Sequence, residues 1–236
     1  MSGLEPLTYH DGDIELTGHI ARPAGSPRGA ILVWPTIANI TPAVADKAAA
    51  LAEAGYLALV ADLYGRTANA PGEWREFAME LRADPADYRR RLKAGLRALV
   101  SLPETKGLPL AAIGFCMGGQ AALEMARDGA PLDCVVSFHG LLGTEMPAEP
   151  GAISARLLIC HGDADPMVPR QQVLKFWEEM DRAGADWHFH SYSGVKHGFT
   201  NPYPVPPGND AVAYDESADR QSWAAMHAMF DELFGS

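Results

Sequence analysis

The stretch Ala111-Ala112-Ile113-Gly114-Phe115-Cys116-Met117-Gly118-Gly119-Gln120-Ala121-Ala122 decides how the chain is read. An apolar run ends at Gly114, a cysteine follows two residues later, two glycines come next, and then an alanine-rich segment with helical character begins. That order predicts a strand, a tight turn and a helix. In a G-x-S-x-G nucleophile elbow the nucleophile sits on a strained strand-to-helix turn, and the flanking glycines let backbones approach where a side chain would clash. Cys116 takes the nucleophile position in a G-x-C-x-G version of that pattern. A thiol there lies at a helix N-terminus, where unpaired N–H groups and the helix dipole favour the thiolate. A cysteine buried in a glycine turn for packing alone has the same local sequence, so the rest of the chain has to separate the two.

Working outward, the alternation of apolar runs and helical stripes implies a mostly parallel sheet with helices on both faces. Residues 14–21 alternate apolar and polar side chains as one strand of an edge hairpin. Residues 30–34 and 56–60 are apolar throughout, as strands covered on both sides are. Between them Thr41 is the expected N-cap of a helix with Pro42 first, and Gly55 ends it. A less regular segment is expected from Asp62-Leu63-Tyr64-Gly65-Arg66 to about Asp84, and Asp84-Pro85 opens a long helix through Tyr88, Leu92, Leu96 and Leu99. Beyond the cysteine, residues 117–127, 171–183 and 214–233 read as helices, and residues 133–138, 156–160 and 187–190 as strands. Nothing in residues 1–236 marks a repeat or a domain-length linker, so a single α/β domain is expected. The proline-rich residues 201–207 read as a surface loop.

Composition narrows the partners. The net charge of −11 is spread along 236 residues, which argues against attraction to nucleic acid or an anionic membrane and for a small-molecule partner. Cys116, Cys134 and Cys160 are odd in number and widely spaced, which suits reduced thiols in a reducing compartment. The residues from Met1 to Pro6 lack a basic-then-apolar leader, and no apolar run approaches the roughly 18 residues that span a bilayer. The expectation is a cytoplasmic protein; oligomeric state is left open.

In an open parallel sheet, reactive groups gather beyond the carboxyl ends of the strands. Cys116 follows one strand, His161-Gly162-Asp163-Ala164-Asp165-Pro166 follows another, and Gly194-Val195-Lys196-His197-Gly198 follows the last. Nucleophile, acid, histidine is the chain order of the α/β-hydrolase triad. His197 can take the thiol proton and return it to a leaving alcohol, and a carboxylate would fix its tautomer. His190, His188, His161 and His139 compete for the base role, but the first two lie within a strand and the others follow strands without a flanking glycine pair. Asp163 and Asp165 both fit the acid, and either could cap the helix that begins near Pro169. Asp165 is preferred because it stands further from the strand end. The His161-x-Asp163-x-Asp165 spacing also permits a metal, but no second ligand cluster accompanies it, so no metal is expected. Backbone N–H groups suit a developing oxyanion, and those of Met117 and Ile37 are the candidates.

With these residues in place, the chain resembles the cysteine-dependent dienelactone hydrolase family over nearly its whole length. The resemblance is carried by Gly114-Phe115-Cys116-Met117-Gly118-Gly119, by Ala61-Asp62-Leu63-Tyr64-Gly65-Arg66, by the loop with Gly162, Asp165, Val168 and Pro169, and by His197-Gly198-Phe199. It implies an α/β-hydrolase fold, Cys116 as nucleophile with His197 and Asp165 as partners, no cofactor, and Arg66 as the residue that binds a substrate carboxylate. Two positions depart from the family pattern. Thr36 stands where dienelactone-cleaving members carry a glutamate that contacts the resting thiol, and Asn201 replaces a second arginine after the histidine. Both changes leave ester cleavage available and weaken the case for dienelactone itself. The expected activity is hydrolysis of a small carboxylic ester or lactone through a covalent thioester. A thioesterase or acyltransferase with the same triad, and a hydrolase-fold binding protein without turnover, are the alternatives.

Overall fold

Gly12 and Asp13 turn the chain between β1 (Glu5–Asp11) and β2 (Ile14–Ala21), and Gly12 supplies the positive φ that such a two-residue turn needs. The structure, a computed structural model, describes residues 4–70, 72–204 and 208–235. Met1–Gly3, and Val205, Pro206 and Pro207 of the expected surface loop, lie outside them. The fold is α/β, with an eight-stranded, mostly parallel sheet and helices between the strands. The chain divides into two compact units, Met1–Ala112 and Ile113–Ser236.

In the first unit β1 and β2 pair antiparallel with Tyr9 opposite Leu16. β2 pairs antiparallel with β4 (Leu57–Val60), and β3 (Ala30–Trp34) pairs parallel with β4. β2 buries alternate residues Leu16, Gly18 and Ile20, whereas β3 and β4 are buried throughout, the difference between a strand with one solvated face and strands covered on both. In α1 (Pro42–Glu53), Thr41 holds the N-cap position without a side-chain cap bond, and Pro42 supplies a preset first turn. The segment expected to be irregular contains a helix, α2 (Glu73–Arg82). Its apolar residues Trp74, Phe77, Ala78 and Leu81 follow helical spacing, a signal masked by the Pro71-Gly72 breaker and the charged residues around it. Asp84 then caps α3 (Pro85–Val100) by accepting the Ala86 and Asp87 N–H groups. α3 is tied to the first hairpin by buried Asp11, which accepts Arg91 Nε at 2.8 Å and Arg90 Nε at 3.1 Å.

β5 (Leu110–Phe115) leads into the second unit and α4 (Met117–Arg127). There β6 (Cys134–Phe138), β7 (Arg156–Gly162) and β8 (Trp187–Tyr192) run parallel, with α5 (Arg170–Ala183) between the last two and α6 (Glu216–Phe234) closing the chain. β7 continues through Gly162, so His161 is a strand residue and not, as its sequence position suggests, part of the loop. Buried Arg127 on α4 bonds Glu179 of α5 at 2.9 Å through both Nε and Nη2, and Glu124 at 3.0 Å. A buried guanidinium needs such partners, and these fasten α4 to α5. No helix among the described residues is long and apolar enough to cross a membrane.

Candidate active site

Cys116 sits at the N-cap of α4 with φ +57° and ψ −119°. A side chain at positive φ is strained, and such strain persists only where the surroundings hold it. Here they do. The Cys116 N–H donates to the Phe138 carbonyl at 3.0 Å and to His139 Nδ1 at 3.1 Å, while its own carbonyl accepts the Gly119 N–H at 3.0 Å. The glycines around it are sterically required: a Cβ on Gly114 would lie 1.9 Å from the Gly118 carbonyl oxygen, and one on Gly119 would lie 2.6 Å from Ser137 Oγ.

Asp165 and His197 meet in the loops beyond β7 and β8. Both are buried at 3% exposure, and His197 Nδ1 lies 2.6 Å from Asp165 Oδ2. The other carboxylate oxygen accepts the Met167 N–H at 2.8 Å, which fixes the acid's direction. Asp163, two residues earlier, instead forms a two-point pair with Arg170 at 2.8 and 2.6 Å, toward solvent. Burial alone would lower the pKa of His197. Hydrogen bonds and charge from Asp165 and Cys116 outweigh it and push the ring up to about 10. Nε2 is buried with no partner at ordinary hydrogen-bond range among the described residues. The raised value favours the protonated form of the His197 ring.

The competing histidines separate by environment. His139 spends Nδ1 on the Cys116 amide and its Nε2 lies 2.9 Å from Thr200 Oγ1. His161 is buried with neither ring nitrogen bonded, and burial lowers its pKa, which keeps it neutral. His188 and His190 lie along β8. No group of three or more His, Cys, Asp or Glu among the described residues could hold a metal.

Three of the residues nominated from sequence lie in the first unit. Thr36 Oγ1 accepts the Ala38 N–H at 3.3 Å, and the Ile37 carbonyl accepts the Tyr64 hydroxyl at 2.9 Å. Both belong to a loop anchored by Asn39, which takes φ +58°. The Asn39 amide donates to Asp62 Oδ1 at 2.8 Å, and its carbonyl oxygen accepts the Leu63 N–H at 3.2 Å. Asp62 also accepts the N–H groups of Tyr64 and Gly65 at 2.9 and 3.0 Å. Arg66 pairs with Glu80 and lies 3.7 Å over the Phe77 ring, lining a cavity of about 460 Å³ with Tyr64, Leu81 and Arg90. In the second unit Met117 opens α4 directly after the cysteine. Asn201 accepts the Tyr203 N–H at 3.1 Å. Sequence spacing alone does not point to Asn39 or Thr200. An Asn in a loop is a recognisable signal for the left-handed turn, but no signal in sequence marks Thr200.

A cysteine strained onto the strand-to-helix turn of an α/β sheet, with a histidine–carboxylate pair in the loops of later strands, defines the class of α/β-hydrolases. The sequence pattern of the dienelactone hydrolase family matches residues 16–234, and the chain belongs to that family. It is an enzyme, a carboxylic ester hydrolase of the dienelactone hydrolase type. Its fold is shared with the crystal structure of a dienelactone hydrolase-like promiscuous phosphotriesterase, P91, from metagenomic libraries, at 35% identity and TM-score 0.93 over 98% of each chain. A second solved structure, m3DLH, is 36% identical with TM-score 0.91 over 98% of each chain. A probable 2-oxo-3-(5-oxofuran-2-ylidene)propanoate lactonase of Bradyrhizobium sp. is 29% identical over 194 residues, 77% of either chain.

Proposed function

We propose that the chain hydrolyses a small carboxylic ester or lactone through a Cys116–His197–Asp165 triad. The observation that carries this reading is the strained Cys116 turn together with the 2.6 Å contact between His197 and Asp165. The Cys116 thiolate attacks the acyl carbonyl, and the carbonyl π electrons move to oxygen. The Met117 N–H group receives that oxyanion. On collapse the C–O bond to the leaving alcohol breaks, and His197 delivers its proton to the alkoxide, leaving a thioester. His197 then takes a proton from water as the hydroxyl adds to the thioester, and the thiolate leaves as the acid is released. Asp165 holds the ring's tautomer and balances its charge throughout. No step calls on a cofactor or metal.

The match over residues 16–234 runs through both units and supports one α/β-hydrolase domain. The lactonase relative supports a lactone or enol ester among the substrates, and Arg66 supports one with a carboxylate. Three free cysteines, two of them buried, support a reducing, cytoplasmic setting. A second reading, phosphotriester hydrolysis by the same thiolate, is favoured by the likeness to P91 over 98% of both chains. The test is a panel of aryl acetates, lactones and aryl phosphotriesters assayed with wild type and Cys116→Ala. Cleavage by wild type alone is expected. Equal rates in the variant would overturn the assignment, and turnover of phosphotriesters but no acyl ester would replace it with the second reading.

A further inference from the structure

His139 engages three parts of the site at once. It directly follows β6 with φ +41°, and its own N–H is pinned to the Cys160 carbonyl at 2.8 Å. Nδ1 accepts the Cys116 N–H at 3.1 Å, and Nε2 lies 2.9 Å from Thr200 Oγ1. An amide N–H can only donate, so Nδ1 must carry the lone pair and Nε2 the proton, which it gives to Thr200. The ring also meets His197 edge-on, with centroids 5.2 Å apart at 69°, and Phe199 at 5.2 Å and 77°. One buried side chain therefore touches the elbow, the ring proposed as base, and the loop that carries that ring.

We propose that His139 is a positioning residue that couples the Cys116 elbow to the His197 loop, accepting the Cys116 amide on one side and holding Thr200 on the other. This rests on the nucleophile and base roles proposed above. The two adjacent imidazoles are set to opposite tasks by their partners. His197 faces a carboxylate and a thiol, and is built to gain a proton. His139 faces an N–H donor and a hydroxyl, and a second proton on Nδ1 would break the Cys116 bond and set a cation beside the His197 imidazolium. These partners hold His139 in one tautomer, with Nδ1 accepting, while His197 passes the proton. Its bond adds to that of the Phe138 carbonyl in holding the strained φ of Cys116. Its link to Thr200, three residues after His197, limits how far the base loop can move from the thiol.

The test uses His139→Phe, which keeps a ring and removes both hydrogen bonds, His139→Gln, which can accept with one amide atom and donate with the other, and Thr200→Val. Two readouts are followed: kcat and KM on an activated aryl ester, and the pH dependence of iodoacetamide alkylation at Cys116, which needs no turnover. Misplacement of reacting groups by an ångström costs up to roughly 100-fold, so His139→Phe should lower kcat by about 10- to 100-fold with KM within about twofold. It should also shift the alkylation profile. His139→Gln should recover most of both, and Thr200→Val should move both in the same direction by less. A folded His139→Phe with unchanged kcat and alkylation profile overturns the coupling. Should that variant not fold, Thr200→Val decides, and wild-type behaviour in it overturns the coupling. Retained hydrolysis by Cys116→Ala would instead overturn the nucleophile role itself, whatever the His139 variants do.

Discussion

The polar side chains of the two units are committed to different things. In Ile113–Ser236 those of the candidate site hold the site's own groups: Asp165 binds His197, and His139 binds the Cys116 backbone amide. In Met1–Ala112 they are committed to the scaffold, with Asp62 and Asn39 tying the Thr36-Ile37 loop to the Tyr64-Gly65 turn and Glu80 occupying Arg66. The first pattern is what bond-making chemistry needs, because groups that pass a proton must be held in one geometry. The second fixes the loop that carries Thr36 and Ile37 and holds the Arg66 cation in an exposed pair.

The contrast breaks most sharply within a single loop. Asp165→Asn should lower kcat by about 100- to 10,000-fold, since the amide would hold the wrong His197 tautomer. Asp163→Asn, which touches only an exposed pair with Arg170, should stay within about threefold. Equal losses measured by steady-state kinetics would remove the distinction. The mutual commitment of thiol and ring is sharpened by NMR titration of His197, whose pKa near 10 should fall in Cys116→Ser, where the thiolate's share of the upward push is gone. The stability sign follows. The unfolded ring has a pKa of about 6.5, so the stabilisation that accompanies the raised value is complete below that pH and is lost as pH rises through about 10. The unfolding free energy of wild type relative to His197→Gln should narrow over that window, and a difference flat in pH would count against the coupled pair. The smallest effect belongs to the first unit. Glu80→Gln should raise the preference for anionic over neutral esters by a few-fold, and Arg66→Ala should abolish it, as expected of exposed ion pairs. An unchanged ratio of kcat/KM values in both would remove Arg66 from substrate binding.

What could be read from sequence tracks what is local. The β3 and β4 runs, the Asp84 cap and the glycine-flanked elbow are set by residues adjacent in the chain, and each has a direct steric or hydrogen-bonding cause. The helix α2 escapes the sequence reading, because the Pro71-Gly72 breaker and the charged residues obscure the helical spacing of Trp74, Phe77, Ala78 and Leu81. Loop spacing alone could not separate Asp163 from Asp165, because the choice is made by what each meets after folding: Arg170 in one case and His197, 32 residues on, in the other. The same holds for His139, whose two partners are 23 and 61 residues away. A histidine beside an amide donor and one beside a carboxylate are indistinguishable until their partners are in place.

Hydrolysis through a thioester requires that Cys116 become covalently acylated. An activated aryl ester mixed with the enzyme, quenched in acid within the first turnover and analysed by peptide mass spectrometry, tests it directly. The acyl mass should appear on the peptide carrying Cys116, accumulate in a His197→Gln background that slows deacylation, and be absent from Cys116→Ala. Hydrolysis that proceeds with no acyl mass on that peptide, or with the adduct on another residue, would contradict it.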